Sequence, residues 1–137
     1  MKAVVDTNVV AYFLLGTEPF KSECEAFWRA VESPAAPASW EAEVTNVLWQ
    51  ACRHGVMGVP AAVDRLRLAQ GLGIRSVPVR GLWQGALVRA CDSGLAAYDS
   101  LFVELACREQ VPLATFDREI LRAFPDLALR PAEVSAG

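Results

Sequence analysis

Only one histidine, His54, occurs in the 137 residues, and only two lysines, Lys2 and Lys21. With both lysines at the start of the chain, the late lysine that an aspartyl phosphotransferase or a phosphoacceptor receiver domain would need is missing. The four cysteines (Cys24, Cys52, Cys91 and Cys107) show no close paired spacing, and no CxxC or Cys/His ligand pattern can be assembled from them. They are expected to be free, buried thiols in a reducing compartment. A long apolar run is also lacking. The segment MKAVVDTN is far too short for a signal peptide or a membrane span, which predicts a cytoplasmic protein that does not enter a membrane. A strong positive charge is absent as well, with a net charge of −3 and a pI near 5.1, and this argues against a general nucleic-acid coat. There is no internal repeat and no low-complexity stretch.

What the chain does have is apolar residues, 53% of the total, enough for one compact domain and too few residues for two full cores. Strand and helix signals alternate. Lys2 to Val5 reads as a buried strand ending at Asp6, and Asp6-Thr7-Asn8 offers capping side chains to a helix over Val9 to Leu15. A second helix is predicted over Phe20 to Val31, followed by a turn-like Ser33 to Ala38 that could hide a short strand. Ser39 is placed to cap a helix over Trp40 to His54, and Pro60 to start another through Gln70. Ile74 to Val79 reads as a strand, Leu82 to Ala90 as a helix stopped by Gly94, and Tyr98 to Glu109 as an amphipathic helix. Val111 to Thr115, Asp117 to Phe124 and Leu127 to Arg130 complete the pattern as strand, helix and edge strand. This alternation implies a mostly parallel sheet of four or five strands with helices on both faces. Residues 1–131 are expected to form a single domain and 132–137 to fray as a flexible tail.

Four acids stand out against this pattern: Asp6, Glu43, Asp99 and Asp117. Each falls past a strand end or near a helix start, where a parallel sheet delivers side chains to one edge. Taken singly, each could be a helix cap or a helix-dipole carboxylate. Four in the same topological place suggest convergence, and converging carboxylates repel unless a cation sits among them. Hard oxygen ligands favour Mg²⁺ or Mn²⁺, which makes metal-assisted phosphodiester cleavage the first hypothesis. A low pI is compatible with such an enzyme, because the acidic cluster itself lowers it. Asp92 reads as solvated helix surface, and His54 has no evident catalytic place. Of the thirteen basic residues eleven are arginine, a side chain suited to phosphate, with Arg29, Arg53, Arg80, Arg89 and Arg118 as candidate contacts.

Asp6-Thr7-Asn8 after a first strand, Glu43-Val44-x-Asn46-Val47-Leu48 on a helix, Ala97-Tyr98-Asp99-Ser100 at a helix start, and Leu113-Ala114-Thr115-Phe116-Asp117 near the end together resemble the PIN domain. The resemblance spans the chain in order, and the length is similar to that of stand-alone PIN ribonucleases that act as toxins in VapBC-type toxin–antitoxin pairs. It implies a three-layer α/β/α fold and a Mg²⁺- or Mn²⁺-dependent endoribonuclease. Asp6, Glu43, Asp99 and Asp117 would be the catalytic, metal-holding set, and Thr7, Asn8 and Thr115 the supporting polar groups. Phe116 departs from the pattern, where a small residue is common. The resemblance also implies an RNA substrate, a cognate antitoxin and a homodimer. Phe13, Leu14, Phe20, Phe27, Trp28 and Trp49 are candidates for an antitoxin groove. Rival possibilities are a catalytically silent interaction module of the same fold, an aspartyl phosphotransferase, and a nuclease directed at DNA.

Overall fold

The computed structural model describes residues 1–137. Five strands, β1 (Lys2–Val5), β2 (Ser33–Pro37), β3 (Arg75–Val77), β4 (Leu113–Ala114) and β5 (Ala128–Leu129), pair in the order β3-β2-β1-β4-β5. Every pairing is parallel. Eight helices connect and cover them: α1 (Thr7–Leu15), α2 (Lys21–Ala30), α3 (Ser39–Arg53), α4 (Val59–Gln70), α5 (Trp83–Ser93), α6 (Ala97–Glu109), α7 (Arg118–Ala123) and α8 (Pro131–Ala136). The result is the expected three-layer α/β/α arrangement.

The central strand β1 explains why the first acid lies where it does. Ala3, Val4 and Val5 are all buried, flanked by β2 and β4, so the chain emerging at Asp6 is in the middle of the sheet edge. Helix α6 packs across β1, β2 and β4, and α5 covers it from outside. Buried on both sides, α6 is apolar around most of its circumference, and Leu101, Phe102, Val103, Leu105 and Ala106 all belong to the core. Helices α1, α2, α3 and α4 pack on one another, and α3 also touches β2.

Several expectations need correction. Residues 132–136, expected to fray, form α8. Pro131 supplies a helical φ at its first position, the Glu133 carboxylate accepts a hydrogen bond from the Arg130 backbone N–H at 3.1 Å, and Val134 is buried against the core. Within the turn-like Ser33 to Ala38 the short strand that it could hide is present as Ser33–Pro37, an interior strand of the sheet. The strand expected over Ile74 to Val79 is only Arg75–Val77, cut short by Pro78 and a 3₁₀ turn at Val79–Gly81. The thiols are free, but only Cys24 is buried, and Cys91 is exposed. No helix is long and apolar enough to cross a membrane.

Candidate active site

Parallel strands aim their carboxyl ends at one edge, and the helices that follow start there. Asp6 directly follows β1, Asp117 follows β4, Asp99 lies in the first turn of α6, and Glu43 sits one turn into α3. The structure brings all four to one open cavity of 440 Å³, whose lining includes Asp6, Thr7, Asn8, Glu43, Asn46, Asp99 and Asp117. Tyr12, Thr17 and Val47 are also in its walls.

Asp6 is 6% exposed. Its Oδ2 accepts a hydrogen bond from the Thr115 hydroxyl at 2.7 Å and one from Asn8 Nδ2 at 3.4 Å. Thr115 is itself fully buried and its Oγ1 accepts from the Asp117 backbone N–H at 3.0 Å, so one hydroxyl couples the first and last acids. Asn8 Oδ1 accepts from the Phe116 backbone N–H at 3.3 Å, a second tie between α1 and the end of β4. Two hydrogen bonds do not replace the water lost on burial. Desolvation pushes the Asp6 carboxyl up to about 7, partly opposed by Thr115, and Asp99 and Glu43 push it the same way.

Glu43 is half-buried and its pKa is raised, first by burial and also by Asp99. The hydroxyls of Ser39 and Thr7 flank this carboxyl and offset part of that rise, yet neither closes a hydrogen bond of normal geometry. Thr7 Oγ1, Ser39 Oγ and Glu43 Oε1 are all buried without a partner. Three adjacent polar atoms left unsatisfied in a native site call for an explanation. Asp99 is also raised, by burial and then by Asp117 and Glu119. No group of three His, Cys, Asp or Glu side chains is drawn close enough to hold an ion unaided. The acids share a cavity without forming a closed cage, as mutually repelling carboxylates would.

Sequence reasoning assigned no site role to Asn46, Tyr12 or Glu119. Asn46 was legible as the residue one turn beyond Glu43 on the same side. Tyr12 becomes part of the wall because it stacks on Phe20, with ring centroids 4.6 Å apart, and meets Phe116 at 5.4 Å. Phe116 is buried among these rings. His54 is exposed at the end of α3 and Asp92 is exposed on α5, both away from this cavity. Of the expected groove residues, Leu14 and Phe27 belong to the core and are inaccessible to a partner. Phe13 and Trp28 line a shallow surface hollow with Leu72, and Trp49 is exposed under Arg53.

A parallel α/β sheet whose carboxyl edge gathers four acids from across the chain defines a class of protein, and a family model supports that definition. The PIN domain model matches residues 3–125, and the chain belongs to the PIN domain family, whose members are generally nucleases that use divalent metal ions. Among solved structures, a toxin–antitoxin complex from Klebsiella pneumoniae has a chain similar to this one, with a TM-score of 0.67 and 16% identity over 94% of this chain and 97% of that one. At that identity the likeness is one of fold. A search of curated protein sequences returns no significant match.

Proposed function

We propose that this protein is a Mg²⁺- or Mn²⁺-dependent endoribonuclease that acts as the toxin of a toxin–antitoxin pair. The carrying observation is the cavity in which Asp6, Glu43, Asp99 and Asp117 meet while Glu43 Oε1 lies buried and unpaired. An anionic site with raised carboxyl pKa values and an orphaned oxygen fits a cation better than it fits a network complete in itself. Asp6, the most buried of the four, and Glu43, Asp99 and Asp117, each partly exposed, would hold the ion between them, and direct ligation by only one or two carboxylates would suit an ion that keeps several waters. The bound ion would acidify a water and neutralise charge building on the phosphodiester oxygens. Thr115 and Asn8 fix the Asp6 carboxylate, and Asn46 and Thr17 offer polar contacts to the entering strand. No side chain has to act as nucleophile.

RNA in single strands or loops is the proposed substrate, because unpaired bases can splay around an open cavity. The toxin assignment draws on the shared fold with the Klebsiella toxin–antitoxin complex and on the family. With it come a cognate antitoxin and a homodimer as proposed partners, and a cytoplasmic site of action. The test is cleavage of total cellular RNA in Mn²⁺ by the wild-type chain and by Asp6→Asn and Glu43→Gln. Cleavage is expected only from the wild type, and undiminished cleavage by either variant would remove the assignment.

A further inference from the structure

A second cavity lies between α5 and α6, lined by Arg80, Trp83, Gln84, Arg89 and Arg108 among others, and none of its lining residues belongs to the acidic cavity. It is the larger of the two, at 650 Å³ against 440 Å³. Its lining carries three arginines against Asp92 and Glu104, a positive balance in a chain whose net charge is −3.

The arrangement is built from beneath. Glu104 is buried in the middle of α6, and its carboxylate accepts from Arg89 Nε at 2.7 Å and from Arg108 Nε. Gly85 makes room for it, because a Cβ there would sit 2.5 and 2.6 Å from the two carboxylate oxygens. Both arginines are thus held through their Nε atoms. Arg108 also donates through Nη1 to the Gly81 carbonyl, and both Nη groups of Arg89 make no bond within the chain. An internal ion triad would need nothing further. Yet Arg80, exposed and free of any ion pair, packs over the ring of Trp83 at 5.3 Å, and that indole is 55% exposed. Fixed guanidinium donors beside an exposed indole are the elements of a single-strand binding surface, where arginines meet phosphates and a base stacks on the ring.

We propose that this α5–α6 cavity is an accessory binding site for the sugar–phosphate chain of single-stranded RNA, with Arg80, Arg89 and Arg108 meeting phosphates and Trp83 receiving a base. The choice of RNA rests on the nuclease reading above. Asp99 lies in the first turn of α6, Glu104 with its partner Arg89 about 8 Å further along the helix axis, and Arg108 about 14 Å along it. A strand of about four stacked nucleotides spans the distance from Asp99 to Arg108.

The experiment is fluorescence anisotropy of a labelled single-stranded oligoribonucleotide of about 16 nucleotides with the full chain in EDTA, so that binding is read without cleavage. The pair Arg80→Ala and Trp83→Ala is compared with Arg65→Ala, an exposed arginine on α4. Both residues of the pair are exposed, so the fold should survive, and Arg80→Glu serves as a second, single change. The double variant is expected to bind at least tenfold more weakly, and its salt dependence should flatten by about 0.7 in log–log slope for each phosphate that the protein no longer neutralises. Arg65→Ala should bind as the wild type does. Equal affinity and slope in the double variant would overturn the proposal. So would a polyglutamate peptide that binds the wild type more tightly than the oligoribonucleotide does and loses that binding in the double variant, since the cavity would then serve an acidic protein segment. Neither result touches the cleavage assay, whose failure would be seen separately.

Discussion

The buried carboxyl of Asp6 predicts a pH dependence of stability with a definite sign. Its ordinary pKa is 3.8 and its folded value is about 7, so between those limits the folded chain binds a proton that the unfolded chain has released. Stability must therefore fall as pH rises from about 4 to about 7, and level off above. A difference of about three pKa units corresponds to about 4 kcal/mol, a large share of the roughly 5–15 kcal/mol that holds a domain together. Glu43 and Asp99 shift in the same direction and add a shallower contribution of the same sign. Urea unfolding in EDTA, from pH 4 to pH 8, measures the slope directly. Asp6→Asn should match the wild type near pH 4, be more stable by up to about 4 kcal/mol at pH 8, and retain only the shallow slope. Mn²⁺ at a hundredfold excess over its Kd should restore about 2.7 kcal/mol to the wild type at pH 7.5 and much less to the variant. A flat wild-type profile, or an equally steep one in Asp6→Asn, would refute the burial argument for this residue.

Asp117→Asn should keep thermal stability while abolishing RNA cleavage, because asparagine still caps α7, whereas Asp117→Ala should lose both activity and about 1 kcal/mol in chemical unfolding. Gly85→Ala should displace the Glu104 carboxyl from its two arginines and cost about 1–3 kcal/mol, read as a lower urea midpoint. Removal of residues 131–137 should cost at least about 2 kcal/mol, since Val134 loses its burial and Glu23 loses the Ala132 N–H, and proteolysis should then open α2.

The elements carrying the site were legible because their local signals agree with their tertiary role. β1 is a β-branched run leading into an acid, and α6 has the apolar content of a buried helix, although burial from Ser100 through Ala106 and an exposed Tyr98 make it less one-sided than the amphipathic helix expected. β2 was obscure because Ser33-Pro34-Ala35-Ala36-Pro37 has the composition of a turn. It becomes a strand because β1 and β3 pair with it on either side and bury it, a tertiary effect that outweighs local preference. α8 was missed although Pro131 followed by Glu133 is a helix-start signal, because a short polar terminus reads as frayed until its partner α2 is known. The accessory cavity was hardly legible. Arg80 and Arg89 were among five arginines named as candidate phosphate contacts, but Arg108 and Trp83 were not, and only the fold sets these side chains around one cavity with Glu104.

Helix capping was the strongest alternative account of the four acids, and the structure separates them on this point. Asp117 does cap α7, with Oδ1 accepting from the N–H groups of Glu119 and Ile120 at 2.8 and 3.1 Å. Asp6 occupies the cap position of α1 with suitable backbone angles, yet its side chain makes no capping bond and turns to Thr115 and Asn8. Asp99 and Glu43 lie inside their helices, and Ser39, expected to cap α3, does not; its hydroxyl lies beside Glu43 without a partner. Capping hydrogen bonds thus account for one of the four, and the first-turn place of Asp99 in α6 suits the helix dipole without satisfying a backbone N–H. The other three are held partly or wholly out of water at a cost to the fold, close enough to raise one another's proton affinity. An arrangement that is unfavourable for the empty protein at neutral pH, and that a divalent cation would make favourable, is the pattern expected where charge is kept for chemistry and not for packing.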